Sequence, residues 1–152
     1  MPRYFFDTSA LVKFYHAEVG TNKVSAIFSE PGREIRISSI GVVEVQSAFA
    51  MKVRAGVIDS RLAGQQRAAL MLDIASGGIE VYSVNESHFK HAERLIGKYS
   101  AGRRLRTLDA FQLAVALDLL SQNLLDYFVV ADLPLAEIAV LEGLSVIDPQ
   151  TP

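Results

Sequence analysis

Two kinds of hydrophobic pattern alternate along the chain. Short runs rich in β-branched and aromatic residues predict five strands, at residues 3–6, 34–38, 79–84, 127–131 and 145–147. Longer segments with apolar residues at helical spacing predict seven helices, at residues 9–14, 21–28, 42–55, 60–75, 86–99, 108–120 and 133–141. Strands that alternate with helices imply parallel β-α-β crossovers. The pattern therefore predicts an α/β fold, a three-layer α/β/α sandwich with a central, mostly parallel five-stranded sheet.

The 152 residues contain no internal repeat, low-complexity tract or interdomain linker, so we expect a single domain over residues 1–152. Half of the residues are hydrophobic and the mean hydropathy is +0.24, which is high for a chain without a membrane segment. The helices within residues 20–75 carry apolar rows such as Val24, Ile27 and Phe28. We expect a partner to cover part of this surface; the alternative is that these rows pack inside the monomer.

The composition also limits the chemistry. No apolar run approaches the ~20 residues that a membrane helix requires, so we expect a cytoplasmic protein that makes no use of a membrane. The chain has no cysteine, so any metal must be bound by oxygen or imidazole. The formal net charge of −2 gives no global positive field for nucleic acids, although local fields can differ from the total.

Two aspartates follow predicted strands directly. Asp7 comes after the apolar run Tyr4–Phe6, and Asp132 comes after residues 127–131. The carboxyl ends of parallel strands are where α/β sheets bind ligands. Each aspartate could instead simply cap the helix that follows it, but two equivalent cases favour a shared site.

Two further acids lie in apolar surroundings. Glu44 is placed on the first turn of the helix after strand 34–38, and Asp109 begins the helix at 108–120. A lone carboxylate among apolar neighbours is costly unless it is paired or bound to a metal. Together with Asp7 and Asp132, these residues predict a cluster of carboxylates at one edge of the sheet.

Helical spacing separates the other polar residues near Asp109. Asp118 lies nine positions further on, about 900° around the helix, and is expected on the opposite, solvated face. Gln112 shares the face of Asp109 and could hydrogen-bond a carboxylate or a substrate, but an ordinary interface glutamine fits equally well. The histidines, including His88, do not form a metal-ligand pattern and are expected at the surface.

These residues together resemble the PIN-domain family. The resemblance rests on DTSALVK at residues 7–13, then Glu44, then LDA at 108–110, VVAD at 129–132 and the ending GLSVIDP at 143–149. Within the family, the VapC-type toxins of toxin-antitoxin systems are the most similar. The resemblance implies a Mg²⁺- or Mn²⁺-dependent endoribonuclease that is a homodimer and is inhibited by a cognate antitoxin protein. The antitoxin is expected to fill an apolar groove and to bring a basic side chain to the acidic site.

The same four acids are the expected catalytic and metal-binding residues. Oxygen ligands without a nearby histidine favour a hard cation, so we expect Mg²⁺, with Mn²⁺ able to replace it. Asp7 and Asp109 are expected to be direct ligands, and Glu44 a ligand or the general base for water. Asp132 is expected to bind a second metal ion or a metal-bound water.

Five residues are candidates for contact with RNA. Thr8 and Ser9 could orient a water or bind phosphate, and capping of the next helix is the equal alternative. Arg103, Arg104 and Arg106 precede Asp109 without an intervening acid and could bind RNA phosphates. A solvated loop explains these arginines equally well.

Other acidic α/β sites fit the sequence less well. A receiver domain of a signalling pathway requires a lysine after a late strand, and no lysine follows Lys98. A haloacid-dehalogenase-type phosphatase requires a second aspartate where Ser9 stands. The remaining alternative is a non-catalytic PIN-like module that binds RNA or a protein, and the presence of all four acids argues against it.

Overall fold

Five parallel strands form the central sheet of the computed structural model, which describes residues 1–152. The strands are β1 (Arg3–Phe6), β2 (Glu34–Ser38), β3 (Glu80–Tyr82), β4 (Tyr127–Val129) and β5 (Val146–Ile147). Their order in the sheet is β3-β2-β1-β4-β5, and every neighbouring pair is parallel. The predicted α/β fold with a parallel sheet is therefore confirmed.

Seven helices cover the two faces of the sheet. They are α1 (Thr8–Tyr15), α2 (Thr21–Ser29), α3 (Ser39–Arg54), α4 (Ser60–Ala75), α5 (Glu86–Tyr99), α6 (Thr107–Ser121) and α7 (Leu133–Leu141). One buried cluster joins residues of the sheet to α1 to α4, and the other joins the opposite face to α5 to α7. None of the helices is both long and apolar enough to span a bilayer.

The side-chain alternation of β1 separates the two cores. Tyr4 and Phe6 enter the cluster that contains α1 to α4, whereas Phe5 between them enters the other. Phe6 meets the edge of Phe28 with ring centroids 5.5 Å apart, and Phe28 stacks on Phe14 at 3.8 Å. Because β1 is buried on both faces, its side chains do not alternate between apolar and polar, which explains the continuous apolar run Tyr4–Phe6.

The apolar row on α2 packs inside the monomer, contrary to the prediction that a partner covers it. Val24 is 0% exposed, Ile27 is buried, and Phe28 packs against the aromatic cluster. Exposed apolar side chains occur instead on α3, α4 and the turn between them: Val43, Met51, Val57, Leu62, Met71 and Leu72. The periodicity identified the apolar face of α2 correctly but could not tell that α1 and the sheet cover it.

Three strands are shorter than their apolar runs. The predicted strands at 79–84, 127–131 and 145–147 contract to Glu80–Tyr82, Tyr127–Val129 and Val146–Ile147. The edge strand β5 pairs only Phe128 and Val129 of β4. Val130 follows β4 and is fully buried, and its N–H donates a last hydrogen bond to the Ile147 carbonyl at 3.0 Å.

His88 is buried, although the sequence placed it at the surface. It is 4% exposed, its Nδ1 accepts a hydrogen bond from the Asn85 N–H at 3.0 Å, and its Nε2 lies 2.7 Å from an oxygen of Asp118. Asp118 does face away from Asp109, but it pairs with this histidine rather than with solvent alone. The partner of each residue lies on a different helix, so neither sequence segment revealed the pair.

The strand order creates a crevice between β1 and β4. From β1 the chain passes through α1 and α2 to β2 on one side, whereas from β3 it passes through α5 and α6 to β4 on the other side. This reversal is the topological switch point at which parallel sheets bind ligands, beyond the carboxyl ends of the strands. The Asp7 N–H donates to the Val129 carbonyl at 3.0 Å, so the two strands stay joined up to the crevice.

Candidate metal centre

Asp7 occupies the position where β1 ends and α1 begins. Its Oδ2 accepts hydrogen bonds from the Ser9 N–H at 3.1 Å and the Ser9 hydroxyl at 2.6 Å, so it caps the helix. The side chain is only 3% exposed, and Oδ1 has no hydrogen-bond donor from the chain. One oxygen of Asp7 is thus used for structure and the other is available for a cation.

Ser9 fixes Asp7 relative to the end of β4. Its hydroxyl donates to Asp7 and also accepts a hydrogen bond from the Ala131 N–H at 3.0 Å. Ala131 directly precedes Asp132, so one serine connects the segments that carry two of the predicted site residues. Both hydrogen-bonding functions of the Ser9 hydroxyl are therefore already used within the protein.

Asp132 repeats the arrangement of Asp7 at the neighbouring strand. Its Oδ1 accepts a hydrogen bond from the Leu135 N–H at 3.1 Å and so caps α7, which has Pro134 in its first turn. The second oxygen receives no hydrogen bond from the chain. The sequence presented capping and cation binding as alternatives, but the cap uses only one oxygen of the carboxylate, so the two roles are compatible.

Glu44 lies on the second turn of α3, one turn later than the sequence predicted, because the helix already begins at Ser39. The side chain is half-buried, and its Oε1 accepts a hydrogen bond from Gln112 Nε2 at 2.9 Å. Gln112 Nε2 also lies 3.4 Å from Thr8 Oγ1. The amide of Gln112 thus links α6 to both α3 and the start of α1.

Asp109 lies in the first turn of α6 and has no hydrogen-bond donor from the chain on either oxygen. Its pKa is raised from 3.8 to about 7, mainly by burial and also by the charges of Asp7, Asp132 and Glu44, while Arg106 acts against the increase. Burial also raises the pKa of Asp7 to about 6, where the hydrogen bonds from Ser9 act against the increase and the charge of Glu44 adds to it. The four predicted acids thus lie close enough together to interact electrostatically.

Two of the three predicted arginines join this cluster. Arg104 and Arg106 line a small cleft together with Asp109, Asp132 and Pro134. Arg103 points elsewhere, and its guanidinium pairs with Glu137 of α7 at 2.8 Å on the exposed surface. The run therefore divides into two cations beside the carboxylates and one bound to a neighbouring helix.

The donor set fits a hard divalent cation. All candidate ligands are carboxylate oxygens, and Asp109 and the second oxygens of Asp7 and Asp132 have no internal donor. No three acidic or histidine side chains are arranged to enclose a single ion. Mg²⁺ commonly takes one or two carboxylates and keeps several waters, so an open array of this kind suits it.

Sequence reasoning did not select Gln112, which hydrogen-bonds Glu44. Gln112 is fully buried, and its hydrogen bonds to Glu44 of α3, to Ser38 at the N-cap of α3 and to Thr8 of α1 place it between two segments that carry predicted site residues. The signal in the sequence was a single amide on the apolar face of α6, one turn after Asp109. That signal suits an interface glutamine equally well, so only the tertiary contacts distinguish the two.

The fold and the acidic switch-point crevice define an α/β protein with a candidate metal centre. A family model for the PIN domain matches residues 4–124, and the chain belongs to this family. No protein with curated annotation matches the sequence significantly.

Three solved structures illustrate the similarity in fold. DNA-bound VapBC from Salmonella typhimurium superposes with a TM-score of 0.65 at 16% identity, over 98% of this chain and 99% of that chain. VapBC-1 from nontypeable Haemophilus influenzae superposes with a TM-score of 0.64 at 16% identity, over 98% of this chain and 99% of that chain. VapC20 from Mycobacterium tuberculosis, a toxin that cleaves the sarcin-ricin loop, gives 0.60 at 17% identity, over 82% and 86%.

The raised pKa of Asp109 predicts that stability depends on pH. Between pH 3.8 and about 7 the folded protein binds more protons than the unfolded chain, so the free energy of unfolding falls as the pH rises through this window. Asn cannot ionise, so Asp109→Asn should not lose free energy of unfolding in this pH range. In metal-free buffer at pH 8 the variant should melt about 2–4 °C above the wild type, the shift that ~1 kcal/mol produces at this size. Thermal unfolding followed by circular dichroism measures the difference, which should shrink toward pH 4.

Asp126→Asn is a control with the opposite sign. Hydrogen bonds from Arg3 lower the pKa of Asp126, so its contribution to stability is present above its ordinary pKa and is lost as the pH falls. This variant should therefore melt below the wild type at pH 8. Identical melting of Asp109→Asn and the wild type at every pH would contradict repulsion in the carboxylate cluster.

Proposed function

We propose that the chain is a metal-dependent endoribonuclease that hydrolyses RNA phosphodiester bonds and acts as the toxin of a toxin-antitoxin pair. The observation that carries the proposal is the electrostatic coupling of Asp109 to Asp7, Glu44 and Asp132, whose charges together with burial raise the pKa of Asp109. Such a cluster is costly unless a cation neutralises it. We place the activity in the cytoplasm, where RNA is available as a substrate.

Membership of the PIN-domain family and the fold shared with VapC proteins support this proposal. Asp7 and Asp109 would hold Mg²⁺ or Mn²⁺ directly, and Asp132 would bind a second ion or a bound water through its free oxygen. A divalent ion bound there supplies polarisation of the scissile phosphate and a lowered pKa for the attacking water.

Other residues of the site would have roles that do not require direct contact with the metal. Glu44, with one oxygen held by Gln112, is suited to accept the proton of the attacking water at its second oxygen. Arg104 and Arg106, beside Asp109 and Asp132, would bind the RNA phosphates and offset the repulsion between the acids and the polyanion. Among the hydroxyls, Thr8 has a hydrogen free to donate to phosphate, whereas Ser9 acts mainly by holding Asp7.

Removal of the metal should abolish cleavage. Purified protein should cut generic single-stranded RNA with Mg²⁺ or Mn²⁺, lose this activity in EDTA and regain it when the metal is restored. Asp109→Asn should reduce the rate by about 100-fold or more, because it removes a ligand charge while keeping the shape of the side chain. Cleavage is measured by gel separation of end-labelled RNA.

Asp118→Asn on the far side of the same helix is the matched control and should cut RNA at the wild-type rate. Cleavage that persists undiminished in chelator would end the metal hypothesis. A folded wild-type protein that binds RNA but does not cut it under any metal condition would favour the non-catalytic module.

Arg104 and Arg106 should contribute to RNA binding because their positive charges neutralise RNA phosphates. Replacing Arg104 and Arg106 by glutamine should weaken binding and reduce the slope of log K against log salt by about 0.7 for each phosphate that is no longer neutralised. Arg103→Gln should have a smaller effect because Arg103 pairs with Glu137. Fluorescence anisotropy with labelled RNA over a salt series measures the slopes, and an unchanged slope in the double variant would assign these arginines to solvent.

We propose that the antitoxin binds in the cleft between α3 and α4. This cleft is lined by Gln46, Phe49, Ala50, Ala63 and Arg67, among others. Gln46 is two positions after Glu44, about 200° around α3, so an antitoxin segment seated in this cleft would continue around the helix to bring a basic side chain to the carboxylates. Such a side chain would both block the site and neutralise its charge, as an inhibitor of this enzyme requires.

A homodimer is the proposed form without antitoxin. Val43 and Leu108 are exposed beside Glu44 in a shallow apolar depression, and a second copy would cover them. Sedimentation across a concentration series should show a dimer, and Val43→Glu should shift it to the monomer. Val140→Glu, at an exposed position of α7, is the control. A monomer at every concentration would contradict this part of the proposal.

A further inference from the structure

Gln112 is a fully buried polar side chain near the carboxylates. It lies on α6 one turn after Asp109 and is 0% exposed, between Phe111 and Leu113 in a helix whose neighbouring positions are apolar. A buried amide is costly unless its donor and acceptor atoms are both satisfied. The partners that satisfy Gln112 therefore indicate what the residue does.

The hydrogen bonds fix the orientation of the Gln112 amide. Its Oε1 accepts from the Ser38 hydroxyl at 2.7 Å, and Ser38 Oγ in turn accepts from the Gly41 N–H at the start of α3. Its Nε2 donates to Glu44 Oε1 at 2.9 Å. A reversed amide would place an oxygen against the Glu44 carboxylate, so the side chain has one favourable orientation.

The Gln112 amide packs directly against the first turn of α3. A Cβ at Gly41 would lie 3.4 Å from Gln112 Nε2 and 3.6 Å from Ser38 Oγ, which are van der Waals contact distances. The amide nitrogen also lies 3.4 Å from Thr8 Oγ1 at the start of α1. Gln112 is thus in contact with the segments that carry Asp7 and Glu44, while its own helix carries Asp109.

We infer that Gln112 is a positioning residue that holds the Glu44 carboxylate in the catalytic site; the inference rests on the proposed nuclease function. The Glu44 side chain is long, flexible and half-buried, and its carboxylate is repelled by the other acids. Without a hydrogen-bond donor this carboxylate would turn toward solvent. An arginine or lysine in place of Gln112 would neutralise the charge that a cation requires. A neutral amide donor fixes the carboxylate and keeps its charge.

The alternative is that Gln112 only joins β2 to α6 through Ser38. Both roles predict some loss of stability when Gln112 is replaced, so stability alone does not separate them. They differ in their coupling to Glu44. Replacing a positioning residue does not slow cleavage further once Glu44 has lost its function. Replacing a structural residue slows cleavage equally with or without a functional Glu44.

A double-mutant cycle on the full chain tests the inference. Gln112→Met keeps the length and approximate volume of the side chain and removes its hydrogen bonds with Ser38, Thr8 and Glu44. It should slow RNA cleavage about 10- to 100-fold and weaken Mn²⁺ binding, measured by calorimetry on the metal-free protein, while thermal unfolding confirms the fold. Adding Gln112→Met to Glu44→Gln should cause no further loss of cleavage.

Gln66→Met is the matched control. Gln66 is the other buried glutamine, lies on α4, and takes no part in the hydrogen bonds of the site. It should keep the wild-type cleavage rate and Mn²⁺ affinity. If Gln112→Met does not fold, Gln112→Leu replaces it in the same cycle, because leucine suits the apolar face of α6.

A crystal structure of the Gln112 variant gives a readout independent of activity, and the Glu44 carboxylate should have left its present position. Wild-type protein that neither binds Mn²⁺ nor cuts RNA would refute the proposed function, and the inference would fall with it. An active wild type with an equally active Gln112→Met variant, additive losses in the cycle, or an unmoved Glu44 would overturn the inference alone.

Discussion

Repulsion among partly buried carboxylates is the constraint on which the rest of this structure depends. Asp109 and Asp7 lose hydration and face further negative charges, and the pKa of each is raised accordingly. The fold offsets this cost locally. Asp7 and Asp132 cap helices and Asp109 lies in a first helical turn, where the positive end of the helix dipole favours negative charge. The fourth acid, Glu44, lies further along its helix and receives an amide hydrogen bond instead.

The site depends on both helical layers because the strand order reverses beside it. The segments after β1 and β4 supply Asp7 and Asp132, and hydrogen bonds of Asp7 and Ser9 join these segments across the crevice. Glu44 comes from the layer of α1 to α4, whereas Asp109 comes from the opposite layer. A carboxylate cluster built in this way forms only when the whole domain is folded, so its charges are not brought together in the unfolded chain.

The aspartates after β1 and β4 show that a helix cap leaves one oxygen of the carboxylate open for a second role. Each uses one oxygen to cap the following helix and leaves the other without an internal donor. The cap fixes the rotamer of the carboxylate, which a binding site requires, at no cost to the free oxygen. A pattern typical of helix capping is therefore no argument against a functional aspartate at the end of a parallel strand.

The sequence by itself determined the order of strands and helices, the parallel sheet and the acids at the strand ends. These follow from local periodicity and from the right-handed β-α-β connection, which leaves few arrangements of the chain. The tertiary structure alone decided which residues meet. In the folded chain His88 is buried against Asp118, and Val24 and Phe28 pack within the monomer. Arg103 pairs with Glu137, away from Arg104 and Arg106, and Gln112 hydrogen-bonds Glu44. Periodicity identifies the face of a helix on which a side chain lies, but the partner on that face comes from a segment distant in sequence, and only packing brings the two together.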